Sequence, residues 1–243
     1  MRFLTFLFWT FAIACTSQHS FTKAGAIKYT VRLYDSSSQQ YSREFIFADM
    51  NLWYKNELYI EEIKSVETYV DTNGVMTRKT PLAYYLFIDR SSKSFYHYSS
   101  FSDTARIIDK YILSDTAMLK GVGGWAFYKN WDIGISGTLN TLGDTLIDNI
   151  LYKRDQFPII SNGSLVTIIA YQRCDKKGTI FQFDTLLSNK LRCPVTRIDF
   201  LPSRENPRPI SPEIHFLRDS LTKEELKIFD AWEKNIKKYP VDK

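Results

Sequence analysis

Between residues 82 and 101 the chain reads LAYYLFIDRSSKSFYHYSSF, two aromatic runs separated by a polar turn. Successive side chains of a strand point to opposite faces, so Tyr84, Leu86 and Ile88 share one face, with Tyr85 and Phe87 on the other. Aromatic residues pack well on a pleated surface, and the pattern predicts a hairpin of 82–89 and 95–100 about the turn 90–94. Both faces carry apolar side chains, so the hairpin needs neighbouring strands on each side.

The same alternation predicts strands at 26–34 (AIKYTVRLY) and 43–49 (REFIFAD). Residues 51–64 (NLWYKNELYIEEIK) read as two short strands about Lys55-Asn56-Glu57. A helix competes over 57–66, where Glu61, Glu62 and Lys64 are good helix formers, but Trp53, Tyr54, Tyr59 and Ile60 favour strand. Asp71-Thr72-Asn73-Gly74 contains Asn-Gly, the strongest short hairpin signal, and Pro81 suits a strand start. Beyond Phe101 the spacing changes. Ser102 or Asp103 can cap a helix, and Ala105, Ile108, Tyr111 and Ile112 recur at helical intervals, so 102–113 reads as a short helix. A glycine-rich turn follows at Gly121-Val122-Gly123-Gly124. Strand patterns resume at 145–153, 165–173, 179–187 and 191–201.

Pro202, Pro207, Pro209 and Pro212 crowd the next stretch, which predicts an extended linker over 202–220. The clearest helix closes the chain at 221–239. Thr222-Lys223-Glu224-Glu225 is a capping box, with Leu221 and Leu226 placed as a hydrophobic staple. Leu226, Phe229, Trp232 (or Ala231), Ile236 and Tyr239 form the apolar stripe, and Pro240 stops the run. The whole predicts a mainly β (α+β) fold: an antiparallel meander forming a curved sheet or half-open barrel over 26–201, a short mid-chain helix, and an amphipathic terminal helix packed on it.

Composition changes the picture little until the amino terminus. Of 243 residues, 44% are hydrophobic and 24% charged, which is ordinary for a folded domain. The formal charge of +5 is scattered; without a basic block or a recognisable module, nucleic acid is not an expected partner. Met1-Arg2 and the apolar run 3–14 form a secretory signal, too short to cross a bilayer. Its exit, Ala12-Ile13-Ala14-Cys15, suits ordinary cleavage and also resembles a bacterial lipobox, from which it departs at Ala12, where Leu is more usual. The lipobox reading makes Cys15 the lipidated residue, 15–25 a tether, and the membrane a partner through that anchor. It also leaves Cys174 and Cys193 as an even pair in an oxidising compartment. A bridge over the 18 intervening residues would stabilise by roughly 3 kcal/mol. Yet a plain meander puts the two thiols at opposite ends of a strand about 23 Å long, against the ~7 Å a bridge allows. Either the intervening chain is laid out differently or both thiols are free; the bridge is favoured.

The order WYKNELYIEEI, then DTNG, then YYLFIDRSSKSFYHY resembles the β-meander of lipoprotein-carrier-like (LolA/LolB-type) envelope domains across residues 26–100. The resemblance implies a half-open barrel whose aromatic faces line an apolar cavity, an apolar ligand, and a terminal helix acting as its cover. An ordinary dry core is the alternative.

No catalytic, cofactor or metal site emerges. His19 lies in the tether, His97 between two tyrosines, and His215 among the prolines. Ser102, His97 and Asp103 make an imaginable triad that no spacing demands. Gly134-Ile135-Ser136-Gly137 lacks the glycine two positions before the serine that a nucleophile elbow needs. Gly121–Ala126 fits G-x-G-x-x-A without the strand-to-helix context, and no Cys/His run has zinc spacing. The expectation is an exported, lipid-anchored binding or structural protein of the cell envelope, not an enzyme; an envelope hydrolase with an unlocated Ser/His site is the alternative.

Overall fold

Alternation wins over most of the chain. The computed structural model describes residues 24–45, 50–64, 67–70, 72, 76–79, 82–112, 134–161, 164–177, 179, 181, 183, 185–204, 207 and 209–240. The expected leader, Cys15, most of the tether, the end of the predicted strand 43–49 and the glycine-rich turn at 121–124 lie outside them.

The first half supplies β1 (Ala24–Asp35), β2 (Gln40–Phe45), β3 (Met50–Lys55), β4 (Leu58–Lys64), β7 (Leu82–Asp89), β8 (Ser94–Tyr98) and β9 (Ile107–Ile112). The second half supplies β10 (Gly134–Ile135), β11 (Asn140–Ile147), β12 (Ile150–Ser161), β13 (Ser164–Gln172), β14 (Val195–Phe200) and β15 (Ile210–Arg218). These thirteen strands form one antiparallel sheet in the order β10-β12-β13-β14-β15-β1-β3-β4-β7-β8-β9, with β11 on β12 and β2 on β1. The first and last strands of the chain meet at its middle, and the sheet does not close. Between β4 and β7, β5 (Glu67–Val70) and β6 (Met76–Lys79) pair as a separate hairpin around the Asn-Gly signal.

Pairing fixes which ends lie together. Ala24 faces Lys55, Leu58 faces Asp89, and Ser94 faces both Asp89 and Ile112. Arg218 faces Ala26, Gln172 faces Val195 and Lys153, and Ile147 faces Ile150. All of these mark one end of the sheet, the base, where β1 begins. Gly25 is required there, because a Cβ would come within 2.6 Å of both the Arg218 carbonyl and the Tyr54 hydroxyl.

Four sequence expectations are corrected. Of the segment 102–113 read as a helix, the described residues 102–112 are a turn followed by β9: Tyr111 stacks on Phe95 at 5.1 Å, and pairing with β8 overrides the helical spacing. The mid-chain helix lies instead at α1 (Thr185–Leu191), which takes in the last three residues of the segment 179–187 read as a strand. A two-residue turn at Asp148-Asn149, both with positive φ, splits the strand expected over 145–153 into β11 and β12. The Pro-rich linker contains β15, paired along Ala26–Leu33 of β1. Pro212 is tolerated because its neighbour on the other side, β14, joins β15 through a single register pair, Arg197 with Glu213.

The two faces have separate cores. On the inner face, Ile27, Tyr54, Tyr59, Leu86, Ile88 and Phe95 of one arm meet Phe157, Ile168 and Ile198 of the other. On the outer face, Ile60, Phe87, Tyr96 and Tyr98 pack against α2 (Lys223–Lys238) through Ile228, Phe229, Trp232 and Ile236. The capping box forms as the sequence requires, Thr222 accepting from Glu225 N–H and the Glu225 carboxylate accepting from Thr222 N–H. The buried stripe is shifted from the expected one: Ile228 is buried, whereas Leu226 and Tyr239 are exposed.

Candidate functional site

The terminal helix, expected to cover a cavity, docks on the opposite face. Phe181, Phe183 and Leu187 cover the inner face instead. Phe181 packs on Tyr54 at 4.6 Å between ring centroids, Phe183 lies 6.2 Å from Tyr29, and Leu187 of α1 joins the same cluster. These side chains fill the space between the two arms, so the aromatic interior is lined and occupied by the chain itself. Two clefts open elsewhere. One of about 310 Å³ lies at the base beside Leu151, Lys153, Arg173 and Cys174. The other, of about 600 Å³, runs between Ile107, Ile108 and Lys110 of β9 and Asn235 and Tyr239.

The densest gathering of titratable groups lies on the outer face where β12–β15 and β1 carry polar residues at alternate positions. Asp199 is its hub. Arg197 donates to it twice, Nε to Oδ1 at 2.9 Å and Nη2 to Oδ2 at 3.0 Å; Tyr171 donates at 2.8 Å and Ser211 at 2.5 Å. Glu213 is the second hub. Its Oε2 lies 3.1 Å from Arg32 Nη2, and 3.7 Å from both Arg197 Nη1 and His215 Nε2, while Oε1 accepts from the Tyr152 hydroxyl at 3.2 Å. Two carboxylates thus balance two guanidiniums, which is how Arg197, Asp199 and Glu213 are all buried. Burial opposes the charge of Arg197, but Asp199 and then Glu213 outweigh it and hold the guanidinium above its usual range. Burial, reinforced by Glu213, pushes the Tyr152 phenol up to about 12. Burial and Asp199 raise Tyr171 and Tyr41 in the same way. Every phenol here stays protonated at neutral pH and acts as a donor.

His215 Nε2 sits 3.0 Å from Thr30 Oγ1, but Glu213 approaches that same nitrogen, not the far one that an orienting carboxylate must hold. Thr30 is itself buried. His97 stacks on Tyr84 at 4.3 Å and reaches the Tyr111 hydroxyl at 3.4 Å. Its pKa is lowered by burial against the opposing pull of Asp109. Ser102 bonds to Thr104, so the imagined set of Ser102, His97 and Asp103 is not assembled. Among the described residues no cluster of His, Cys, Asp or Glu can hold a metal, and no helix is long and apolar enough to cross a membrane.

Cys15 lies outside the described residues. Cys174 and Cys193 are joined in the structure, with Cα atoms 4.8 Å apart. The obstacle read from a plain meander disappears because the segment ends in the helix Thr185–Leu191 and its Phe181 and Phe183 sit in the inner core. Residues 173–194 leave β13 and enter β14 at the same end of two adjacent strands. Arg173 caps this corner, paired to both oxygens of Asp175 at 2.7 and 2.6 Å and lying over the Tyr152 and Phe216 rings. The charge network escaped the sequence reading, since its members are scattered from Arg32 to His215. The alternation of RID at 197–199 and EIH at 213–215 was its one visible signal.

No protein-family model and no curated protein matches the chain. The LolA/LolB-type resemblance therefore has no sequence match behind it. Among solved structures, LprF from Mycobacterium bovis is similar over 80% of this chain and 85% of its own, with 8% identity and a TM-score of 0.37. An uncharacterized conserved protein from Thermus thermophilus is similar over 85% of this chain and 86% of its own, with 12% identity and a TM-score of 0.33. Both scores are low, and neither structure bears on the function of this chain.

Proposed function

We propose that this protein is a non-enzymatic binding or structural protein of the cell envelope, exported by the leader 1–14 and lipid-anchored through Cys15. One observation carries the non-enzymatic part: the buried titratable groups are committed to one another. Asp199 accepts from Arg197, Tyr171 and Ser211, and a carboxylate so occupied is a strut of the sheet, not a poised base. The inner face is the place an apolar ligand would take, by displacing Phe181 and Phe183 from their contacts with Tyr54 and Tyr29. In an exported protein the Cys174–Cys193 pair would be oxidised and would clamp both ends of that covering segment.

The test is to purify the protein from its native host and analyse Cys15 and co-extracted lipid together by mass spectrometry. A new amino terminus at an acylated Cys15 is the expected result. A cleaved, unmodified terminus with no bound lipid overturns the anchor and the ligand at once.

A further inference from the structure

The base of the sheet gathers exposed cations that outnumber its exposed, unmatched acids. Of its exposed acids, Asp175 is matched by Arg173 and Asp219 by Lys176 at 2.9 Å, while Asp148 stands exposed in the β11–β12 turn. Lys153, Lys177, Lys190 and Arg192 are exposed at or near the same end and have no ion-pair partner among the described residues. Asp144 faces Lys153 in the strand register without closing on it. The last three cations come from the 173–194 excursion, which leaves and returns to the sheet at the base. Aliphatic side chains stand exposed beside them: Leu146 (63%) and Leu151 (60%) flank the β11–β12 turn, and Leu217 (52%) lies near the end of β15. The cleft of about 310 Å³ opens between Leu151, Lys153 and Arg173.

We infer that the base of the sheet is a docking surface for an anionic phospholipid bilayer, its unpaired cations ringing aliphatic tips that enter the headgroup layer. Basic side chains attract anionic headgroups while apolar tips bury in the interface, and neither alone gives firm attachment. The length of chain before β1 favours the same orientation. Cys15 precedes Ala24 by nine residues, a reach of roughly 30 Å fully extended. The twelve residues of β1 carry the opposite end of the sheet roughly 40 Å from Ala24. A chain held at Cys15 can therefore bring the base to the membrane, while the far end lies beyond its tether. The orientation rests on the proposed anchor; the charge and apolar pattern does not.

The experiment separates the two. Full-length protein carrying Cys15→Ser, which lacks the acylated sulfur, is sedimented with phosphatidylcholine vesicles with and without roughly one third phosphatidylglycerol. Sedimentation only with the anionic vesicles, reversed by high salt, is expected. Each basic side chain at an anionic surface strengthens partitioning by roughly fivefold, so Lys177→Glu with Lys190→Glu should weaken it by at least about tenfold. Arg204→Glu, on the loop at the opposite end, should leave it unchanged. Lys177→Gln with Lys190→Gln is the milder pair, and an unchanged melting curve confirms that each variant folds. Equal partitioning to both vesicle types, or full binding by the charge-reversed pair, overturns the surface. An unmodified Cys15 in the native protein would remove the anchor and leave this result standing.

Discussion

The outer face of this sheet is covered in two different ways. Over β4, β7 and β8 it is an aromatic surface with a helix laid on it: Trp232 stacks on Tyr98 at 3.8 Å and meets Phe87 edge-on at 5.7 Å. Over β13, β14 and β15 it is a charge-balanced network centred on Asp199 and Glu213. Both are buried, yet they stabilise by different physics. The helix arm gains by removing apolar area from water, which tolerates reshaping. The network arm gains only while every partner is present, because a buried charge without its counter-charge is strongly unfavourable. The first arm should lose stability in proportion to volume removed, the second in steps.

The largest effect expected is on the helix arm. Trp232 is fully buried, contacts Tyr98 and Phe87, and donates its indole N–H to the Ser102 carbonyl at 2.8 Å. Trp232→Ala should cost about 4 kcal/mol in chemical denaturation, and Trp232→Phe clearly less, since it keeps most of the packing. On the network arm, Asp199→Ala strands Arg197 and should cost about 3 to 4 kcal/mol, despite removing far fewer atoms. Arg197→Met combined with Asp199→Leu should recover much of that loss. A double variant as unstable as Asp199→Ala alone would show that packing, not uncompensated charge, governs both arms.

The two arms also differ in how far the chain announces them. The aromatic hairpin at 82–101 and the capping box at Thr222 are local patterns that stand in the structure, and the strands flanking the Asn-Gly signal, which itself lies outside the described residues, pair with each other. Period-2 alternation correctly separates Leu86 and Ile88 from Phe87. The network depends on pairings that cross much of the sequence, such as Arg32 with Glu213, and no local window contains both members. β15 was hidden by its prolines, since Pro212 argues against a strand unless one knows how thin its β14 ladder is. Segment 179–187 misled because a short apolar run has no distinctive period: Phe181 and Phe183 alternate like a strand, then Leu187 continues the inward face on a helix.

Two smaller effects sharpen the contrast from the network side. Oxidised, Cys174–Cys193 staples β13 to β14, and Cys193→Ser should lose at most about 3 kcal/mol by the chain-entropy argument. Unchanged melting with and without reductant would show that the thiols are free in solution. Alkaline titration tests the buried phenols. Tyr152 is raised from 10.0 to about 12 by burial and by Glu213, so the folded state holds this proton after the unfolded chain has released it. Its contribution is intact below pH 10 and is lost as pH rises toward 12. Urea midpoints measured between pH 9 and 11 should fall, and Tyr152→Phe should flatten that fall.

The smallest effect isolates the helix arm at its first turn. Thr222 Oγ1 accepts from the Glu225 N–H at 3.2 Å, and the Glu225 carboxylate accepts in return from Thr222 N–H at 2.7 Å. That carboxylate also pairs with Arg218 at the end of β15, so one residue both caps the helix and ties it to the other arm. Thr222→Ala removes only the first of these bonds and should cost about 1 kcal/mol. Glu225→Gln keeps the cap geometry and drops the charge, so its loss reports the tie to Arg218 together with the carboxylate's favourable place at the helix N-terminus. If the arms are energetically separate, native-state hydrogen exchange of Thr222→Ala should speed the amides of α2 while those of β13 and β14 keep their protection. Uniform acceleration across both would mean that the sheet and its helix unfold as one unit, and that the two coverings differ in chemistry but not in cooperativity.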